Sequence, residues 1–160
     1  MAKCLLVVDY QYDFAHPKGS LYVSGGETIK QPIIDKIKDY KSNNNLVVFS
    51  GDFHPENHIS FRLWPVHCVV GTNGSGFMID TKYADLIIRK GTKIDYDSYS
   101  AFYIGDKVDS GLDAWLKAND VTEIEVCGLA LDVCVGATYV DCINFGYKAK
   151  ILNELSKSIM

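Results

Sequence analysis

The chain has 160 residues, of which 48% are hydrophobic and 22% are charged, and its formal net charge is −4. This composition is typical of one soluble globular domain spanning residues 1–160, and it excludes a disordered or fibrous chain. Neither charge sign forms a run, so we expect no nucleic-acid partner and no membrane anchor. A small molecule is the predicted partner.

The five cysteines include no CxxC pair, which fits neither a disulfide framework nor a zinc ribbon. Near the N-terminus only residues 5–8 form an apolar run, which is too short for a signal peptide or a membrane span. We therefore predict a protein of the reducing cytoplasm.

Short apolar, β-branched segments alternate with helical patterns, as in a parallel sheet with crossover helices. The predicted strands are residues 3–8, 46–50, 85–89, 123–127 and 148–152. The predicted helices are residues 27–40, 110–119 and 132–145, and residues 52–83 form a long loop of the kind that is usually functional. The predicted fold class is α/β, a three-layer α/β/α sandwich around a mainly parallel, doubly wound sheet of five to six strands.

Chemically reactive side chains follow four of these strands. Asp9 ends the first strand, Asp52 follows the second, Lys90 follows the third and Cys134 follows the fourth. Ligands of open parallel sheets bind at the carboxyl ends of the strands, so this placement predicts an active site. Cys134 is the predicted nucleophile, since a helix start and a nearby ammonium favour the thiolate, and Asp9 is the predicted proton carrier.

The alternative for Cys134 is a buried structural thiol, which is also our expectation for the other four cysteines, Cys4, Cys68, Cys127 and Cys142.

A second group of residues lies in the long loop and consists of Asp52, His54, His58 and His67. Neutral imidazoles and a carboxylate suit Zn²⁺, and with open positions they also suit Fe²⁺ or Mn²⁺. We therefore predict a metal site, with a polar surface loop of solvated histidines as the alternative.

With these residues in place, the sequence resembles the nicotinamidase (pyrazinamidase) branch of the isochorismatase-like cysteine hydrolases. The resembling segments are VVDYQYDF (7–14), GSLYV (19–23), SGDFHPENHISF (50–61), WPVHCVVGTNG (64–74), RKGT (89–92), DSYSAF (97–102) and GLALDVCV (128–135). The resemblance implies a metal-dependent amidohydrolase of NAD salvage that converts nicotinamide to nicotinate and ammonia through a cysteine thioester. It also implies activity on pyrazinamide.

The resemblance assigns roles to individual positions. Asp9, Lys90 and Cys134 match the catalytic triad, and the amides of Ala130 and Cys134, beside a cis Leu129–Ala130 peptide, match the oxyanion hole. The matching ligands of one divalent metal ion, Zn²⁺ ahead of Fe²⁺ or Mn²⁺, are Asp52, His54 and His67, with His58 as a ligand in some members only. The positions that match the substrate ring pocket are Phe14, Leu21, Val23, Trp64, Tyr99 and Leu129.

The sequence departs from the resemblance at two points. Val133 stands where relatives often have His or an aromatic residue, which predicts a more open pocket rim. Residues 151–160 replace a turn and a final helix, which predicts a homo-oligomer in which a second subunit covers the exposed flank. The alternative functions are another amidase of this superfamily, or a non-catalytic metal- or redox-binding protein with Cys134 as a sensor thiol.

Overall fold

The structure, a computed structural model, describes residues 2–160. Its strands are β1 (Ala2–Val8), β2 (Leu46–Asp52), β3 (Leu86–Lys90), β4 (Tyr103–Gly105), β5 (Val108–Asp109), β6 (Val121–Leu129) and β7 (Lys148–Lys157). Its α-helices are α1 (Tyr12–Ala15), α2 (Lys30–Ser42), α3 (Leu112–Ala118) and α4 (Gly136–Asn144). Shorter 3-10 turns cover Gly26–Ile29, Ile59–Arg62, Asn73–Ser75 and Thr81–Tyr83, and a π-helical turn covers Leu131–Val135.

The main sheet has five strands in the order β3-β2-β1-β6-β7, and every neighbouring pair is parallel. The strands β4 and β5 form a separate antiparallel pair. The predicted mainly parallel sheet of five to six strands is therefore confirmed.

Helices cover both faces of the sheet, which explains why β1 is continuously apolar from Cys4 to Val8. On one face Leu5 and Val7 belong to the same hydrophobic cluster as Ile33 and Ile37 of α2. On the other face the neighbouring residues of β1 pack in a cluster with Leu116 of α3. The predicted three-layer sandwich is confirmed.

The order of the strands places the ends of β1 and β6 side by side. From β1 the chain continues to β2 and β3 on one side, and later returns to β6 and β7 on the other. This is the switch point at which open α/β sheets bind their ligands. Asp9 follows β1 directly, and the π-helical turn with Cys134 follows β6.

The last strand and two helix starts differ from the prediction. β7 extends to Lys157 rather than to residue 152, because it contains a bulge: Val126 pairs with Ile151, whereas Gly128 pairs with Ser156. Predicted helix 132–145 begins with the π-helical turn, and predicted helix 27–40 begins with a 3-10 turn. Among residues 2–160 no helix is long and apolar enough to cross a membrane.

Candidate active site

Asp9 is fixed at the end of β1 by two contacts with Ser50 of β2. Its N–H donates to the Ser50 carbonyl at 2.9 Å, and its Oδ1 accepts from Ser50 Oγ at 2.8 Å. Its Oδ2 forms an ion pair with Nζ of Lys90 at 2.9 Å. Burial raises the pKa of Asp9, and the Lys90 charge only partly opposes this. Oδ2 of Asp9 is therefore available to accept a proton.

Lys90, the last residue of β3, is fully buried and links the reactive groups. Its Nζ donates to Oδ1 of Asp52 at 2.8 Å and to the Ser98 carbonyl at 3.0 Å, and it lies 3.7 Å from Sγ of Cys134. Burial alone lowers the pKa of Lys90, but Asp52 and Asp9 raise it well above its usual value. Lys90 therefore stays an ammonium group, which excludes it as the nucleophile.

Cys134 lies in the π-helical turn, is 7% exposed and borders the pocket described below. Burial raises the pKa of its thiol well above the usual value; Lys90 lowers it, but Asp9 and Asp52 raise it further. Lys90 thus favours the thiolate, but burial and the two carboxylates outweigh its effect on the pKa. The thiol rests protonated and needs a base.

Asp52, His54 and His67 point side-chain atoms at one another. Oδ2 of Asp52 lies 3.5 Å from Nε2 of His54 and 3.6 Å from Nε2 of His67. Such separations are expected of atoms that each lie about 2.0–2.1 Å from a shared ion. Burial raises the pKa of Asp52, but Lys90 and the two histidines hold it well below its usual range, so this carboxylate is ionised.

Each of the two imidazoles is held in the tautomer that a metal requires. Nδ1 of His54 donates to the Gly91 carbonyl at 2.8 Å, and Nδ1 of His67 donates to the Pro65 carbonyl at 2.7 Å, so both Nε2 atoms keep a free lone pair. Nε2 of His54 is buried without a hydrogen-bond partner among the described residues. Gly91 has a φ of 61°, and a Cβ there would lie 2.3 Å from the His54 ring. These residues fit a divalent cation.

His58 is placed differently, since both of its nitrogens have protein partners. Nδ1 accepts from the Ser60 amide at 3.1 Å, and Nε2 donates to the Tyr96 carbonyl at 2.7 Å. Its ring stacks on that of His54, with centroids 3.9 Å apart. A further group of potential ligand atoms, on His54, His58 and Asp97, would reuse these engaged side chains. His58 supports His54 here, and its role as a ligand stays a prediction.

A pocket opens above these groups. Its wall includes all six residues predicted for the substrate ring, namely Phe14, Leu21, Val23, Trp64, Tyr99 and Leu129. Nε1 of Trp64 donates to the Tyr99 hydroxyl at 3.2 Å, which joins two aromatic side chains of the wall. Asp52, His67, Ala130 and Cys134 also line the pocket, so the reactive groups face an apolar, partly aromatic cavity.

The turn that carries Cys134 begins with a cis peptide bond between Leu129 and Ala130, as the resemblance implies. The carbonyl of Ala130 accepts from the amides of Val133 and Val135, both at 3.0 Å. These bonds hold the turn against the end of β6. The oxyanion hole formed by the Ala130 and Cys134 amides stays a prediction.

Several residues that complete the site were not predicted from the sequence. The Gln11 amide spans the backbone of Asp52, donating to its carbonyl at 2.7 Å and accepting from its N–H at 2.9 Å. Gln11 stands two positions after Asp9 in the segment VVDYQYDF, and this position was enough to indicate that it belongs to the site. Asp97 and Ile159 also line the pocket. No sequence pattern near Ile159 indicates that its side chain contacts the site.

The fold and the site define a cysteine hydrolase with a candidate metal group at the switch point of an α/β sheet. The isochorismatase domain family matches residues 3–159, and the chain belongs to this family.

Two similar proteins carry the names nicotinamidase and nicotinamidase/pyrazinamidase. The chain is 32% identical to a nicotinamidase of Saccharomyces cerevisiae, over 98% of this chain and 88% of that protein. It is 33% identical to a nicotinamidase/pyrazinamidase of Mycobacterium tuberculosis, over 98% of this chain and 87% of that protein.

Two solved structures are similar to this chain over nearly its whole length. A pyrazinamidase of Pyrococcus horikoshii in complex with zinc is 37% identical, with a TM-score of 0.92 over 100% of this chain and 88% of that chain. PnC1 from L. infantum in complex with nicotinate is 34% identical, with a TM-score of 0.92 over 99% of this chain and 82% of that chain.

Proposed function

We propose that the chain is a nicotinamidase, which hydrolyses nicotinamide to nicotinate and ammonia in NAD salvage. One observation carries the proposal: the buried Lys90 ammonium contacts Asp9, Asp52 and Cys134 at the base of an apolar pocket. A planar pyridine ring suits that pocket, and a carboxamide is a substrate that a cysteine nucleophile can cleave. Relatives named nicotinamidase, alike over nearly their whole length, support the same substrate.

The reaction begins with proton transfer from Cys134 to Oδ2 of Asp9. The thiolate attacks the amide carbon, and the neighbouring Lys90 ammonium stabilises the negative sulfur. The resulting oxyanion accepts hydrogen bonds from the backbone amides of Ala130 and Cys134; loss of one such donor costs about 2.7–4 kcal/mol in other enzymes.

Collapse of the tetrahedral adduct breaks the C–N bond, and Asp9 returns its proton to the leaving ammonia. A water molecule then gives a proton to Asp9 and attacks the thioester carbon. The C–S bond breaks, nicotinic acid leaves and gives its carboxyl proton to the released ammonia, and the proton on Asp9 restores the Cys134 thiol. Atoms and charge balance over the cycle, and Lys90 stays protonated throughout.

The residues that would hold one divalent metal ion are Asp52, His54 and His67, and the proposed metal is Zn²⁺, with Fe²⁺ or Mn²⁺ as alternatives of similar ligand preference. The ion would supply a Lewis acid that anchors the pyridine nitrogen, directly or through water. Support for zinc comes from the ligand types of this chain and from the related pyrazinamidase in complex with zinc.

Ammonia release from nicotinamide tests the proposal. We expect turnover by the metal-loaded wild type, none above background by Cys134→Ala, and unchanged turnover by Cys142→Ala, because Cys142 is a buried thiol of α4 whose pKa burial raises to about 12. Equal rates for wild type and Cys134→Ala would refute the cysteine mechanism. Full activity after metal removal would favour a metal-free amidase of the same family, and no ammonia from any amide would favour a binding protein.

Three further properties belong to this proposal. Pyrazinamide is an expected second substrate, since its ring has the size and planarity of nicotinamide. The free, buried cysteines suit the reducing cytoplasm, where we expect the enzyme to act. The predicted homo-oligomer is tested by light scattering at micromolar concentration, and a strictly monomeric mass would contradict it.

A further inference from the structure

The segment Ser158–Met160 is carried to the pocket by the irregular end of β7. Between Val126 and Gly128, β6 advances by two residues, while the partner positions of β7 advance by five, from Ile151 to Ser156. The three additional residues form the bulge. Leu152 and Leu155 bury their side chains in the core, and Ser156 Oγ donates to the Leu152 carbonyl at 2.9 Å.

After the bulge, β7 pairs again with the last residues of β6, up to Leu129 with Lys157. The following residues therefore leave the sheet at the edge where the π-helical turn begins.

The Asp132 carboxylate fastens this segment to the turn that bears Cys134. Oδ1 of Asp132 accepts from the Ile159 amide at 3.0 Å, and Oδ2 accepts from the Met160 amide at 3.2 Å. Both oxygens of one side chain thus orient the backbone of two successive residues. Hydrogen bonds to a charged acceptor are stronger than neutral ones, so this contact restricts where Ile159 can lie.

The side chain of Ile159 faces inward, and that of Met160 faces solvent. Ile159 is partly buried, packs against the cluster that contains Phe14 and Leu129, and lines the pocket. Met160 is 96% exposed. Val133, next to Asp132, lines the pocket as well and packs against the same cluster. This part of the wall is aliphatic and offers no hydrogen bond to a ring substituent.

We infer that Ile159, held by Asp132, is a specificity-determining residue that limits the substrates to amides of planar rings without a substituent on this side. The inference rests on the proposed amide hydrolysis. A methyl group that meets a fixed aliphatic wall has to displace it, and one additional methylene in a close pocket typically changes kcat/KM by roughly 10–200-fold. Truncation of Ile159 removes that wall without touching the reacting groups.

The test compares nicotinamide with its 2-, 4-, 5- and 6-methyl derivatives. For Ile159→Ala we expect at least one derivative to gain roughly tenfold in kcat/KM relative to nicotinamide. Asp132→Asn, which presents an N–H group to one of the two amides, should favour the same derivative by a smaller factor. Met160→Ala is the matched control and should keep the wild-type ratios, because its side chain is exposed.

An unchanged set of ratios in a folded Ile159→Ala protein would overturn the inference, since a purely structural role would slow all five compounds alike. If Ile159→Ala does not fold, Ile159→Val should show a smaller gain for the same derivative, and unchanged ratios there count equally against it. If the wild type hydrolyses no nicotinamide, the proposed function fails. Calorimetric dissociation constants of nicotinate and its methyl derivatives then provide the same comparison between wild type and variant.

Discussion

The ammonium nitrogen of Lys90 lies 2.8 Å from Oδ1 of Asp52, and the other oxygen of that carboxylate faces His54 and His67. The same nitrogen lies 2.9 Å from Oδ2 of Asp9. One buried cation therefore joins the candidate metal group to the proton carrier. The single positive charge of Lys90 therefore stabilises the negative charges of both carboxylates.

Lys90→Met should unfold more easily as well as lose activity. The substitution leaves two buried carboxylates without their cation, and breaking a buried ion pair in this way costs about 3–5 kcal/mol of unfolding free energy. Lys41→Met is the control, because Lys41 pairs with Asp85 at the surface, where such pairs contribute about 0–1 kcal/mol. Urea unfolding of the two variants measures the difference. Similar small losses would show that Asp9 and Asp52 do not depend on Lys90.

Asp9→Asn should lower kcat for nicotinamide by about 10²–10⁴-fold, the usual contribution of a positioned proton carrier. The amide oxygen can still accept from Ser50 and Lys90 keeps its contact with Asp52, so we expect a folded protein of lower stability that still binds nicotinate. Ser50→Ala, which removes only the hydrogen bond to Oδ1 of Asp9, should lose less. Steady-state kinetics with calorimetric nicotinate binding separates the effects, and a fully active Asp9→Asn would remove Asp9 from the mechanism.

Metal content should depend on the histidines unequally. His54→Ala and His67→Ala should fail to retain Zn²⁺ after dialysis, because each loses a free Nε2 atom that faces Asp52. His58→Ala should still bind one ion per chain, with an affinity lowered about 10–100-fold by the loss of support for His54. His16→Ala is the control, because His16 stacks on Tyr12 and accepts from the Lys18 amide rather than facing Asp52. Elemental analysis and zinc titration provide the readout, and a metal-free His58→Ala protein would make His58 a ligand.

Glu125 should give the protein an acid-sensitive contribution to stability away from the active site. Tyr40 donates its hydroxyl to this carboxylate, and Lys150 lies 3.3 Å away, with Lys3 and Lys36 at 3.9 Å. Burial raises the pKa of Glu125, but the combined effect of these groups lowers it by more, so its folded pKa lies below the usual value. The stabilisation is present above the unfolded pKa of about 4.3 and is lost as the pH falls through the folded pKa.

Urea unfolding of wild type and Glu125→Gln between pH 7 and pH 3 tests this contribution. We expect the variant to be less stable at pH 7 and the two curves to converge in acid. The exposed Glu154, which makes no ion pair among the described residues, supplies the control Glu154→Gln, whose curve should follow the wild type throughout. Parallel curves for Glu125→Gln down to pH 3 would contradict the prediction.

The strand ends could be predicted because strands buried on both faces are apolar runs, and a functional polar residue stands one or two positions after the predicted end of each of the first three strands. This pattern located Asp9, Asp52 and Lys90. In the structure Nζ of Lys90 lies 2.9 Å from the Asp9 carboxylate and 2.8 Å from that of Asp52. The amino-acid sequence by itself thus determined the fold class and the chemistry available at one edge of the sheet.

Only the tertiary structure decided how those residues are used. His54 and His58 look alike in the sequence. In the structure His54 binds the Gly91 carbonyl through Nδ1 and keeps Nε2 free, whereas His58 binds the Tyr96 carbonyl through Nε2 and the Ser60 amide through Nδ1. The bulge of β7 and the contact of Asp132 with Ile159 likewise depend on partners far apart along the chain. Such contacts leave no local periodicity in the sequence, because they depend on how distant segments pack and which hydrogen bonds remain to be made.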